Sequence, residues 1–211
     1  MINQSGYDIG TSFSPEGRIF QVEYAREAVS KGVIVIGINA IDGVVIAVDR
    51  RKTSPLIKTP ERIAKIDNHI IAAATGIIPD SRELIDRARY EAQVHRVTYD
   101  EQINTEALVK HLCDAIHFNT SHGGLRPFGV SLLIAGIDEN KTRLFETDPS
   151  GAFWECNATA IGTYKDKITE ILENKYTDSI TVNESIELIK KIIAHVSPTS
   201  VEPEIFIYRK V

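Results

Sequence analysis

Cysteine is scarce in this 211-residue chain: Cys113 and Cys156 are the only two, far apart and without CxxC spacing. Free thiols in a reducing compartment fit this usage better than a disulfide framework. No apolar run approaches the roughly 18 residues of a membrane-spanning helix. The opening Met1-Ile2-Asn3-Gln4-Ser5-Gly6 lacks the cationic and apolar regions of a secretory signal, so a cytoplasmic location is expected. The six histidines form no HExxH and no Cys/His cluster, and His111 and His117, six apart, fall on different faces of a helix. Neither a metal nor a cofactor is expected. Positive charge is not in excess either. The formal net charge of -5 argues against a nucleic-acid partner, and the densest basic run, Arg50-Arg51-Lys52, reads as a solvated strand end.

What is present is an ordinary globular balance, 43% hydrophobic and 25% charged. There is no repeat, linker or low-complexity segment, so residues 1–211 are read as one domain. Residues 1–12 are polar and form a tail. Ser14-Pro15-Glu16-Gly17 is a tight turn in which proline presets φ. A helix is expected from Arg18 to Ser30, stopped at Lys31-Gly32. Strands follow at Val33–Ala40 and Val44–Val48, joined at Asp42-Gly43, and again at Ile66–Ala74. Two helices come next, Pro79 to about Val97 and one capped by Asn104 that runs through Phe118. Further strands lie at Phe128–Ile137, Arg143–Thr147 and Phe153–Ile161. Two more helices follow, Lys165–Tyr176 and one opened by the capping box Thr181-x-x-Glu184, and a last strand covers Glu204–Tyr208. Strand runs alternating with helix pairs argue against a parallel βαβ array. They predict an α+β fold with two mainly antiparallel sheets face to face and helices on both outer surfaces, a four-layer αββα sandwich with an extra amino-terminal helix at 18–30 and a core at 33–211.

The run Phe13-Ser14-Pro15-Glu16-Gly17-Arg18-Ile19-Phe20-Gln21-Val22-Glu23-Tyr24-Ala25 closely resembles the amino-terminal signature of 20S proteasome α-type subunits, with an archaeal-like cast. Further echoes are Asp42 to Arg50, Thr75-Gly76-Ile77-Ile78-Pro79-Asp80, Arg126 to Gly136, Asp148-Pro149-Ser150-Gly151 and Ala158 to Gly162, so the resemblance covers nearly the whole chain. It implies the sandwich of the amino-terminal-nucleophile hydrolases. Catalysis in that superfamily uses a threonine whose hydroxyl attacks and whose own freed amine is the base. The resemblance puts Val33 at that position, behind a helical extension. The supporting aspartate is matched by Asp49, read here as structural or as a relic of chemistry, and the lysine by Arg62, which is not tunable in the same way. No catalytic residue is therefore assigned.

The resemblance implies instead a seven-membered α ring stacked on β rings, with unfolded proteins threaded through an axial pore. Tyr7, Asp8, Pro15 and Tyr24 match the residues that organise the open gate, with Tyr24 as a core residue of its helix the alternative. Gly32, Arg62, Gly76 and Ile77 match the pocket that receives the carboxyl-terminal tails of ring-shaped ATPase or other activators, Arg62 standing where lysine is usual, with a surface ion pair the alternative. Three departures qualify the match: Tyr7 to Pro15 is one residue short, Ile9 replaces arginine, and the chain stops at Val211 before the usual carboxyl-terminal helix. The competing expectations are a structural ring protein without a peptidase partner and a self-compartmentalising threonine peptidase, which would need processing to expose a threonine.

Overall fold

Period-two alternation of Val and Ile sets the layers of the molecule. The structure, a computed structural model, describes residues 10–51, 56, 62–197 and 200–210. In β1 (Val35–Ala40), Ile36, Ile38 and Ala40 enter one buried cluster while Val35 enters another. In β2 (Gly43–Arg51), Val45 and Ala47 face the first cluster, and Val44, Ile46 and Val48 face the second. The strands β3 (Ile63–Asp67), β4 (Ile70–Gly76) and β5 (Val130–Asp138) repeat the pattern on the other side. Ile71, Ala73, Leu133 and Ala135 join the cluster shared with β2, whereas Ile70, Ala72, Leu132 and Ile134 point away from it.

The shared cluster is the filling between two sheets. One sheet has the order β8-β1-β2-β9, with β8 at Ala158–Ile161 and β9 at Ser200–Arg209; the other runs β3-β4-β5-β6-β7, with β6 at Lys141–Thr147 and β7 at Phe153–Glu155. Every strand pairing is antiparallel. Helices α2 (Ile78–Tyr99) and α3 (Thr105–Ser121) cover the five-stranded sheet through Leu84, Ala88, Leu108, Leu112 and Ile116. Helices α4 (Lys165–Lys175) and α5 (Val182–Val196) cover the four-stranded sheet through Ile168, Leu172, Ile189 and Ile193. This is the αββα sandwich. The first helix, α1 (Phe20–Ser30), lies outside that plan, against β4 and β5.

Local signals fix the ends of these elements. Asn104 accepts the Glu106 amide at 2.9 Å, and Thr181 and Glu184 form a complete capping box. The two-residue connection between β5 and β6 has positive φ at both Glu139 and Asn140, the backbone that a tight hairpin demands.

Two expected strands are each two strands. Ile66–Ala74 straddles a hairpin, because Asn68 and His69 turn the chain between β3 and β4. Phe153–Ile161 crosses from one sheet to the other. The Cys156 amide still bonds to the Leu144 carbonyl of β6, whereas the Asn157 carbonyl already accepts from Asn39 of β1. Helix α1 starts at Phe20 rather than Arg18, because the Arg18 carbonyl is engaged by the Ser14 amide at 2.8 Å and the Ser14–Gly17 turn extends further into the chain. The last strand is longer than expected and tolerates Pro203 at a sheet edge.

Candidate functional site

The junction between α1 and β1 is held by hydroxyl groups. The Thr75 hydroxyl at the end of β4 donates to the Val33 carbonyl at 2.7 Å. Thr163 donates to the Gly32 carbonyl from both its amide, at 3.2 Å, and its hydroxyl, at 2.6 Å. Gly32 must be bare: a Cβ there would lie 2.1 Å from the Thr75 hydroxyl and 2.7 Å from the Gly76 amide nitrogen. The nucleophile position is thus an internal valine clamped at its carbonyl, carrying neither a hydroxyl nor a free amine. Asp49 is buried at 1% exposure; the Ser197 hydroxyl donates to it at 3.2 Å, and its amide bonds to the Ile34 carbonyl. This is the structural reading of Asp49. The amino-terminal-nucleophile chemistry therefore has no attacking atom at the matched position.

The residues matched to an activator pocket converge on this junction. Gly32 abuts Gly76, whose φ of +116° and whose absent Cβ, 2.1 Å from the Gly129 carbonyl, both require glycine. Ile77 follows directly, its amide bonded to that same carbonyl at 2.9 Å and its side chain 39% exposed. Arg62 lines a small cleft together with Thr75 and Gly76. Its placement depends on a residue that no sequence signal singles out. The Glu204 carboxylate on β9 accepts from the Arg62 amide at 3.3 and 3.4 Å and from the Ile63 amide at 3.3 Å, and it faces Arg50 at 3.6 Å. Arg50, from the basic run, therefore meets a carboxylate at its strand end.

Of the residues matched to a gate, Tyr7 and Asp8 lie outside the described residues. Pro15 is exposed at the second position of a hydrogen-bonded turn, Gly17 amide to Ser14 carbonyl at 2.8 Å. Tyr24 is 52% exposed on α1, so it is not a core residue of its helix; Val22 and Ala25 are the ones buried.

Two ion pairs, also missed in the sequence, fix the surroundings. Arg26 of α1 grips Asp148 with Nε to Oδ2 and Nη2 to Oδ1, both at 3.0 Å. Burial alone would push the Asp148 carboxyl up, but hydrogen bonds from Arg26 and Ser150 outweigh it and hold the group below its ordinary value. Arg126 holds Asp80, in the first turn of α2, through two bonds of 2.7 Å, and the Gly129 amide adds a third at 2.9 Å. The Arg126 guanidinium is the main reason that the Asp80 carboxyl lies below its usual range. The sequence shows Arg126 and Asp80 only as members of two separate motifs.

Among the described residues no group of three His, Cys, Asp or Glu side chains is placed to hold a metal ion. His111 lies near Glu91 and His117 near the Ser150 carbonyl, on opposite sides of α3. Both cysteines are free. No helix among the described residues is long and apolar enough to cross a membrane.

Comparison with known proteins gives the same reading. Residues 10–28 match the profile of the N-terminal signature of A-type proteasome subunits, and residues 29–202 match the general proteasome subunit profile. The proteasome alpha subunit of Methanocaldococcus jannaschii is 58% identical over 191 residues, covering 89% of this chain and 73% of the relative. That of Methanosarcina mazei is 52% identical, covering 89% and 77%, and that of Thermococcus sibiricus is 50% identical over 206 residues, covering 94% and 79%. A clamped valine in the place of the nucleophile, a helix laid before it and two consecutive profile matches lead to one conclusion: the chain belongs to the proteasome subunit family, as an α-type, non-catalytic ring subunit of a threonine-protease complex.

Proposed function

We propose that this α subunit works as one domain in a seven-membered ring that closes and opens the cytoplasmic entry to the β-ring chamber. Its tail, with Tyr7 and Asp8, serves as gate, and Pro15 and Tyr24 hold the open form. Unfolded chains enter only when an activator's carboxyl-terminal tail docks at Gly32, Arg62, Gly76 and Ile77. The observation that carries this reading is the convergence of those four residues. Segments 32, 62 and 76–77, far apart in sequence, meet at one junction that joins bare backbone to a guanidinium. Glycine lets an incoming main chain approach, and a guanidinium suits a terminal carboxylate. The position of α1 supports a link to the gate: the docking residues and the helix that bears Tyr24 share the α1–β1 junction, so a tail seated there touches the base of the gate element.

The test is peptide hydrolysis by the particle assembled with its β partner, with and without activator. Arg62→Ala is expected to reduce activator-stimulated hydrolysis severalfold while leaving basal hydrolysis unchanged. Tyr24→Ala is expected to change basal hydrolysis. Full stimulation of the Arg62→Ala particle would overturn the docking reading, and wild-type basal and stimulated rates in the Tyr24→Ala particle would overturn the gate reading.

A further inference from the structure

The cleft that Arg62 lines has a second arginine. It opens between the start of β3, the end of β4 and the first turns of α2, with a volume of about 160 Å³, and Arg82 of α2 lines it together with Arg62. Ile78, Arg82 and Ile85 are spaced at four and three residues and so share one face of α2, the face that forms the cleft wall. Ala64 and Ala74 complete its apolar lining. Among the described residues neither guanidinium is paired with a carboxylate. Three acids of the flanking elements are engaged elsewhere: Asp80 with Arg126, Asp86 with Arg89, and Glu204 with Arg50 and with the backbone of Arg62. Two cationic side chains that line one small cleft repel each other, and an anion bound between them would remove that cost.

We infer that Arg82 is a second binding residue of this cleft, which clasps the free main-chain carboxylate of a docking polypeptide tail between Arg62 and Arg82. The inference rests on the docking reading of Arg62 and extends it to a residue that neither the signature match nor the pocket resemblance covers. Size sets what enters. A cleft of about 160 Å³ holds a carboxylate and a small terminal residue.

The experiment uses the assembled particle and two fluorescently labelled peptides ending in Leu-Tyr-Ala, the hydrophobic–tyrosine–any ending that the family resemblance implies for activator tails, one with a free carboxyl end and one amidated. Arg82 is exposed on a helix, where alanine is well accommodated, so Arg82→Ala keeps the fold; sizing and melting of the particle check this. The free-acid peptide is expected to bind Arg82→Ala about tenfold more weakly, as for the loss of one charged hydrogen-bonding partner. The amide is expected to bind wild type and variant alike, and Arg82→Lys to restore part of the loss. If Arg62→Ala weakens the free acid while Arg82→Ala does not, this inference falls and the docking reading stands. If neither variant weakens it, both fall. Equal losses for acid and amide would overturn the assignment to the carboxylate.

Discussion

The slab between the two sheets and the junction between α1 and β1 are built on opposite principles. The slab is mainly hydrocarbon: Val44, Ile46, Ile71, Leu133 and Leu144 are all fully buried there. The junction is backbone against backbone. Its contacts are made by two glycines, two threonine hydroxyls and a carbonyl shared between the Ile77 amide and the wall of Gly76. The first region tolerates any side chains of the right volume and is held by burial. The second depends on the absence of side chains and so cannot be improved by adding apolar mass. A site that receives another chain's backbone belongs in the second kind of region.

Four substitutions or conditions sharpen the contrast. Leu133→Ala, which removes atoms from the slab, is expected to cost about 3 kcal/mol through lost burial and a residual cavity, seen as a lower denaturant midpoint. Gly76→Ala adds a single carbon at the junction and is expected to cost about 2 kcal/mol, since the residue must keep a positive φ with its Cβ driven onto the Gly129 carbonyl. Should Gly76→Ala prove neutral, the junction is looser than drawn and the contrast fails. Thr75→Val keeps the volume but leaves the Val33 carbonyl without its donor, a loss of about 1 kcal/mol. Melting of this variant compared with Thr75→Ser, which keeps the hydroxyl, separates the hydrogen bond from packing.

The smallest effect is acid-dependent. Because the folded Asp148 carboxyl lies below its unfolded value of about 3.9, its contribution is complete above that value and is lost as the pH falls through the folded one. The Arg26–Asp148 tie of α1 should therefore loosen below about pH 4. Arg26 is 45% exposed, so solvent screening keeps the effect below about 1 kcal/mol. A melting difference between wild type and Asp148→Asn that is present at pH 6 and vanishes near pH 3 is the expected outcome.

The slab is legible in the sequence and the junction only partly so. Near-continuous apolar runs in β1, β2 and β5 announce strands with two buried faces, and the caps at Asn104 and Thr181 mark helix starts, because these signals are local. Periodicity carries no information about partners. It runs β3 and β4 together across Asn68-His69, and it does not show that the chain changes sheets at Cys156-Asn157. The clamps by Thr75 and Thr163, the tie from Glu204 to the Arg62 amide and the pairs Arg26–Asp148 and Arg126–Asp80 join residues distant in sequence. A threonine or a glutamate looks the same in the sequence whether it caps a distant strand or faces water. Gly32, Arg62, Gly76 and Ile77 are reached through family resemblance. Arg82 becomes visible only once α2 is folded beside β3.

The Glu204 carboxylate has a consequence for the order in which the molecule becomes whole. It fixes the start of β3 from a strand 141 residues later, paired to β2. During synthesis the segment bearing Arg62 leaves the ribosome long before β9 exists, so the cleft can take its final shape only after nearly all of the described chain has been made. An unfinished subunit would then carry α1 and the earlier strands without the carboxylate that fixes the backbone of Arg62 and Ile63.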